Sequence, residues 1–537
     1  MVGGPPVSAW FLPPGHANLS EMATQPSPGA RTVALSSWTP IHPSALAWAA
    51  GEQPLPPSRA GALPRSAALG AALAAANERW GNPVDDEIRR WQAGASVVVT
   101  GQQPGLLGGP LLTLVKAAAV AAEVRRVRES GGDAVGFLWL ATGDDDLPEV
   151  GWARLAVGEE LVELREPGWN RGDALAGSVP LSSACREWLV ELRPRLAGSH
   201  AQMASDLAAT CYGPGVSLGE ATARFLGRLL AGTGVVLVDA LEPALAAAAA
   251  PATEAIVRRL VEAWAALEEG STAMERRGWP LPLRLSRQKL PLFRRVGDRR
   301  ESLPAGAGGM SPALLAEHRQ HPERFLPNVW LRPLVADAAL GTATAILGGA
   351  ELAYHLQAAG LWEMAGVHRP EWRLRPHVTI VTAAERRAAA QLGLQPEHVL
   401  RLNPPAHVLP GKRTRKSLAT ARAALQRRVD AVASSAREEL PGLSGDVEAT
   451  MRKLDSSLSW LEGRLDLAAT RDAEVELGRW RRLRGFLRPE GKPQERHLSV
   501  LAPLLRLGLE WPRQLAAVID PTHPGMHLLC WEEGGPW

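Results

Sequence analysis

The chain has 537 residues, 46% of them hydrophobic, so at ~100–200 residues per domain it holds material for about three structural units with real cores; global disorder is excluded. Fifty-nine basic residues against 56 acidic ones leave a net charge of +3, too balanced for the sequence-independent phosphate attraction of a protein that coats nucleic acid. Cys185, Cys211 and Cys530 stand far apart in no CxxC or Cys/His spacing, which argues against a disulfide framework or a structural zinc and for a reducing cytoplasm.

In chain order, residues 1–32 are rich in Pro, Gly, Ser and Ala without periodicity, the texture of a poorly ordered leader. Met1 through Pro14 has neither the basic start nor the ~7–15-residue apolar run of a secretory signal, and no stretch reaches the ~18 uncharged apolar residues of a membrane span. A cytoplasmic protein without a membrane partner is expected. Ser96 to Thr100 is a short apolar strand rich in β-branched residues. A glycine-rich turn at 101–110, a helix-compatible run at 111–130 and a second apolar strand from Ala134 to Ala141 follow. Together they predict one βαβ unit. Strands this uniformly apolar belong to a parallel sheet covered on both faces. The right-handed crossover brings Thr100 and Thr142 to one carboxyl edge, where open α/β sheets bind ligands.

Residues Gly234–Asp239, Thr342–Leu347 and Val378–Thr382 read as further strands of that sheet, interrupted by inserts near 160–230 and 265–335. From about Arg413 to Leu483 the chain is charged and almost free of glycine. There Val447, Met451, Leu454, Leu458, Leu461 and Leu465 alternate four- and three-residue steps, a heptad seam. Leu418, Leu425, Val429 and Val432 share the spacing, and Pro441-Gly442 lies between the two runs. The pattern predicts an antiparallel helical hairpin over 413–483.

Three places carry candidate chemistry. The turn at 101–110 joins a strand to a helix start, an arrangement that offers backbone N–H groups and a positive dipole end to phosphate or carboxylate. It matches neither GxGxxG nor GxxxxGK[ST], and a tight turn without a ligand is the plain alternative. Gln102 and Gln103 favour a ligand, since adjacent carboxamides are costly to bury unpaired. Asp144, Asp145 and Asp146, with Glu149 beyond, follow the second strand at the same edge. Such carboxylates repel unless a cation, a ligand amine or arginines neutralise them. They would hold a metal, orient an amine or act as a base; a solvated loop with Asp144 capping the next helix is the alternative. Asn328, Arg332 and Asp337 precede the strand at 342–347, and Gly348-Gly349 then opens a helix containing Glu351, Tyr354 and His355. Arg332 suits a carboxylate-bearing substrate or, alternatively, an internal salt bridge with Asp337. The arginine cluster from Arg284 to Arg300 is assigned to a solvated face, and Cys185 and Cys211 to the core. No GxSxG elbow and no metal site is expected.

Several of these segments together resemble one family, the bacillithiol biosynthesis cysteine-adding enzymes, BshC. VTGQQPGLLGGPLLTLVKA at 99–117 is similar to its glycine turn and LWLATGDDDLPEV at 138–150 to its aspartate-rich strand end. GVVLVDALEPAL at 234–245, LPNVWLRPLVADAALGTATAILGGAELAYHLQ at 326–357 and LRPEGKPQERHLSVLAPLL at 487–505 resemble later blocks in the same order. The resemblance implies an α/β fold with a Rossmann-type parallel-sheet core over 33–395, related to class I aminoacyl-tRNA synthetases. It further implies connecting insertions, an α-helical coiled-coil arm at 413–483, a segment at 484–537 that packs back on the core, and a homodimer formed through the arm. It implies Asp144 and Asp146 as catalytic residues and Gln102, Gln103, Gly105, Lys116, Asn328, Arg332, Asp337, Tyr354 and Arg375 as substrate-binding ones. Gln494, Glu495 and Arg496 match a C-terminal motif. Where the family shows an E-D-H-D pattern this chain has Gly143, Asp144, Asp145 and Asp146, without the glutamate and the histidine. Arg375, Pro376, His377 and Thr379 match its proline–arginine–serine stretch only loosely.

The implied activity is amide ligation of cysteine to the amine of glucosaminyl-malate, the last step to bacillithiol. Joining a carboxylate to an amine in water is uphill, so the carboxyl group must first receive a good leaving group. ATP or another nucleotide meets that need, although no motif names a cofactor. Two alternatives stay open: a catalytically reduced relative that binds a small molecule or partner, suggested by Gly143 and Asp145, and an amide ligase for another amine.

Overall fold

A computed structural model describes residues 9–10, 32–33, 42–51, 65–169, 174–196, 198–306, 309–395, 400, 412–469, 474–532 and 535–536. The chain divides into two compact units, one of residues 1–157, 161–382 and 492–537, the other of 158–160 and 383–491.

The first unit is built on a five-stranded parallel sheet: β1 (Ser96–Gln102), β2 (Ala134–Leu140), β3 (Val235–Asp239), β4 (Thr342–Leu347) and β5 (Glu371–Leu374). Their spatial order is β5-β4-β1-β2-β3, with every neighbouring pair parallel. β2 is buried at every position, as a strand covered on both faces must be. The crossover α1 (Leu112–Glu129) lies so close to it that a Cβ at Gly136 would meet Val120 Cγ1 at 2.5 Å. Between β3 and β4 the chain inserts the helix α2 (Pro243–Arg258), the hairpin Lys289–Val296/Arg299–Pro304 and the helix α3 (Pro312–Gln320). The parallel-sheet core with insertions expected from the sequence is the fold observed.

One strand reading needs correction. The segment 378–382 is a strand but not of this sheet: β6 (His377–Thr382) pairs in parallel with β7 (Met526–Glu532). β5 ends at Leu374, and a parallel neighbour in the same sheet needs a crossover of ~10 residues or more, so β6 must leave for a second sheet. Ala9–Trp10 and Thr32–Val33 add antiparallel to β7; the remainder of the leader expected over 1–32 lies outside the described residues. The side of β6 away from β7 is closed by two side chains. The Gln494 carboxamide accepts from Ile380 N at 2.7 Å and donates to Ile380 O at 3.1 Å. The Glu495 carboxylate accepts from Val378 N at 3.0 Å, Arg375 at 2.6 Å and His377 Nδ1 at 2.8 Å.

In the second unit α4 (Lys412–Glu439) and α5 (Ser444–Ala469), joined through Pro441–Leu443, form a helical hairpin. Leu425 and Val429 face Met451, Leu454 and Leu458, and Arg422 pairs with Asp455 and, at 2.9 Å, Glu462. Among the described residues no helix is long and apolar enough to cross a membrane.

Glu495 is fully buried, and burial would push its carboxyl up; the Arg375 guanidinium and His377 more than reverse this and hold it well below the usual carboxylate range. Glu495→Gln leaves a buried guanidinium without its counter-charge, which costs ~3–5 kcal/mol. Gln494→Ala removes only neutral bonds, at ~1–3 kcal/mol. Urea unfolding should therefore place the Glu495→Gln midpoint below that of Gln494→Ala, with both below the parent; equal midpoints for all three would refute the edge-closing role.

Candidate active site

The strand order reverses at β1, where the chain runs outward through β2 and β3 and returns to β4 on the other side. At that switch point the two carboxyl ends diverge and leave a crevice. A cavity of about 440 Å³ occupies it, lined from β1 by Gln102 and Gln103, from β2 by Asp144, and from β4 and its following helix by Gly348, Glu351 and Tyr354.

The glycine turn shapes one wall. Leu107 sits at φ 52°, a left-handed conformation disfavoured for a branched side chain, followed by Gly108 at 85° and Gly109 at 73°. Gly105 approaches Gly109 so closely that a Cβ on it would lie 2.7 Å from the Gly109 Cα. The buried Tyr212 hydroxyl holds the turn by accepting from Gly108 N at 2.7 Å and donating to Gly105 O at 2.9 Å, while Thr222 Oγ1 accepts from Gly105 N at 3.2 Å. This corrects the expectation of a phosphate-facing turn: the Gly105 and Gly108 N–H groups are already bonded inside the protein.

Arginines neutralise the acidic strand end. Asp144 accepts from Gln103 Nε2 at 2.8 Å and lies 3.9 Å from Arg332 and 3.5 Å from Arg300. Arg300 also pairs with Asp145 and donates to Gly143 O at 3.3 Å, so both positions that depart from the E-D-H-D pattern dock this one side chain. Its neighbours in sequence assign Arg300 to a solvated face; only the hairpin of the insert turns it inward, over the Phe293 ring at 4.4 Å. Asp146, not Asp144, caps the following helix by accepting from Glu149 N; it is exposed and does not line the cavity.

Arg332 opens the helix Arg332–Leu340, whose start is fixed by Asn328 Oδ1 accepting from Trp330 N and Leu331 N. Its guanidinium donates to the Tyr354 hydroxyl at 3.3 Å. No Arg332–Asp337 bridge forms; Asp337 accepts instead from Trp362 Nε1 at 2.8 Å, and burial pushes its carboxyl up to about 7. Burial also raises the Tyr354 hydroxyl to about 12, so it stays protonated and available to donate. Lys116 is buried beneath the floor, its ammonium 2.9 Å from Glu351 and 2.6 Å from Gly101 O. Burial lowers Lys116. For Glu351 burial acts upward, and the ammonium with the Gly348 N–H reverses it. Arg375 is committed to Glu495, and Arg496 lines the cavity without an ion-pair partner among the described residues. Of the predicted residues, then, Gln102, Gln103, Gly105, Lys116, Asp144, Arg332, Asp337, Tyr354, Arg375 and Arg496 meet at this cavity, whereas Asp146, Gln494 and Glu495 do not. Asn328 lines a second cavity of about 340 Å³, which shares Trp139, Ala141, Asp144 and Arg332 with the first. Glu351, in the helix that Gly348-Gly349 opens, joins them at the first, and Arg300, Trp139 and Tyr212 are additions for which residue spacing holds no signal.

Two family models match the chain: the bacillithiol biosynthesis BshC N-terminal Rossmann-like domain over residues 58–376, and the BshC C-terminal coiled-coil domain over 412–531. A protein of Solibacter usitatus described as "Putative cysteine ligase BshC" is 27% identical over 479 residues, 85% of this chain and 88% of that one. Its namesake in Koribacter versatilis is 31% identical over 303 residues, 54% of this chain and 56% of that one. A solved structure described as a putative arginyl-tRNA synthetase of Campylobacter jejuni matches at TM-score 0.21 and 11% identity over 79% of this chain and 100% of that one, too slight a likeness to carry an argument.

The Asp337 carboxyl has a testable consequence. Its value rises from 3.8 in the unfolded chain to about 7 in the folded one, so its contribution to stability is fully present below about pH 4 and is lost as pH rises through about 7. Asp337→Asn keeps an acceptor for Trp362 and cannot ionise. Between pH 5 and pH 8 the urea midpoint of the parent should fall by more than that of the variant; equal falls would show that Asp337 does not titrate in this window.

Proposed function

Because the chain belongs to the bacillithiol biosynthesis BshC family, we propose that it is a ligase that joins the carboxyl group of cysteine to the amine of glucosaminyl-malate, completing bacillithiol. The observation that carries this reading is the pair of opposite charges, Asp144 and Arg332, 3.9 Å apart in the cavity at the sheet's switch point. A ligase that activates an amino acid has to hold that donor's carboxylate and its own ammonium while the acceptor amine approaches. Arg332, steadied by Tyr354, offers two N–H groups to a carboxylate, and Asp144, fixed by Gln103, takes an ammonium. Arg496 remains for the carboxylates of the malate moiety. The amide bond forms as the amine attacks the activated carboxyl carbon, the leaving group departs with the former carboxylate oxygen, and the amine gives up a proton. A nucleotide such as ATP supplies that activation. Cys185, Cys211 and Cys530 are buried and form no disulfide among the described residues, which suits a reducing cytoplasm.

The family's coiled-coil domain also supports a homodimer. On the arm Trp460 is 67% exposed, Val432 59% and Leu461 40%, an apolar surface that the hairpin itself leaves uncovered. A second copy of the arm would cover it.

Purified protein given cysteine, glucosaminyl-malate and ATP should release a coupled thiol detectable by mass spectrometry; no product with any nucleotide overturns the reading. In the same assay Arg332→Ala should weaken cysteine use by ~10–100-fold, because a charge-assisted contact contributes ~1.5–3 kcal/mol. Arg332→Lys should rescue poorly, since an ammonium lacks the planar fork. For the dimer, Trp460→Glu with Leu461→Glu should reduce the mass in light scattering to that of one 57.4 kDa chain. A parent already of that mass, or a double variant that stays dimeric, removes the arm from the assembly.

A further inference from the structure

The second cavity shares Trp139, Ala141, Asp144 and Arg332 with the first. α2 contributes Leu245, Ala246 and Ala249 and the insert contributes Phe293, Phe325 and Leu326, so its walls are mostly apolar. Among the described residues, three polar atoms of its lining are buried without a hydrogen-bond partner: Trp139 Nε1, in a residue 4% exposed, His318 Nδ1, in a residue 2% exposed, and Arg300 Nε. Leaving such groups unmet is costly, and a ligand that meets them explains why they persist. His318 is steadied edge-to-face against Phe325 at 5.3 Å. Burial holds its imidazole below the usual value, hence neutral at pH 7, with Glu254 acting upward and Arg319 downward. Asp144 and Arg332 line both cavities.

We infer that the second cavity is the side-chain pocket of the donor amino acid, whose ammonium sits on Asp144 and whose carboxylate sits on Arg332, facing the first cavity. A zwitterionic α-amino acid carries its two charges on one carbon, and the Asp144–Arg332 pair presents the opposite charges at matching spacing. The α-carbon then projects its third substituent away from the acceptor. Apolar side chains interrupted by an indole N–H, a guanidinium N–H and an imidazole suit a thiol, which is a small hydrophobe with a weak S–H donor and a weak acceptor. Anchoring the donor's own amine as an ammonium on Asp144 also keeps it from competing with the acceptor amine. This assignment rests on the ligase reading and adds Trp139, Ala246 and His318 as residues that set donor specificity.

Calorimetry on the full-length protein tests it without catalysis. L-Cysteine should bind the parent, with or without ATP, and cysteamine, which lacks the carboxylate, and 3-mercaptopropionate, which lacks the ammonium, should each bind at least ~10-fold more weakly, the scale of one lost charge-assisted contact. Ala246→Leu, which fills the pocket, and His318→Phe, which keeps the ring against Phe325 and removes its nitrogens, should each weaken cysteine by ~10-fold and leave glucosaminyl-malate binding within twofold, as a pocket lesion of a few atoms does. Cysteine binding unchanged in both variants, or a loss confined to glucosaminyl-malate, overturns the assignment, as does a parent that does not bind cysteine. Cysteine bound in the predicted pattern with no coupled thiol formed would sink the ligase reading and keep the pocket; a coupled thiol formed equally well by both variants would do the reverse.

Discussion

β1 is flanked by β2 on one side and β4 on the other, and the chain reaches those two neighbours by crossovers that leave the sheet in opposite directions. At their carboxyl ends the connections part, and nothing in the sheet fills the gap. Every feature of the candidate site follows from this divergence. The turn after β1, the acidic end of β2 and the helix after β4 are brought to one crevice although they lie far apart in sequence. Tyr212 and Thr222, from the insert that follows β2, then hold the turn in its left-handed conformation. The strain at Leu107 persists because two buried hydroxyls over-determine it.

The buried charges form two tiers. Lys116–Glu351 and Arg375–Glu495 are paired charges beneath or beside the cavity: the first ties α1 to the helix after β4, the second ties the end of β5 to the segment at 494–497. Such pairs lose solvation that their attraction largely returns, so they add little net stability; breaking one is what costs. Above them Asp144, Arg332 and Arg496 face the cavity with capacity to spare. A ligand carrying both charges can exchange with the Asp144–Arg332 contact at small electrostatic loss, which a tightly bonded pair would not permit.

Both cavities mix apolar walls with charged groups: the first adds Gln102, Gln103, Glu351 and Arg496, which suit a multiply charged acceptor, and the second adds Arg300 and His318 among aromatic and aliphatic side chains. Both share the Asp144–Arg332 junction, so two ligands that fill them meet there. The insert between β3 and β4 builds most of the apolar cavity and also delivers Arg300, which answers the charge of Asp145 at a position where the family pattern has a histidine.

Local pattern determined a good deal by itself. Largely apolar runs identified β1 to β4, because a strand buried on both faces has few polar positions; the seven-residue seam identified the arm, because a hairpin exposes one face of each helix. Ordered motif blocks named Gln103, Asp144 and Arg332, which the crevice unites. Tertiary structure alone decided the rest. The run at 378–382 has the same composition as a core strand, and only the short link from β5 sends it to another sheet. Asp144, Asp145 and Asp146 are alike in sequence, yet one faces the cavity, one holds Arg300 and one caps a helix, since a side chain's role depends on where the backbone turns after β2. Trp139 and His318 look like ordinary core residues until the insert folds over β2 and closes a cavity between them, because an unmet hydrogen bond is a property of surroundings that no single segment contains.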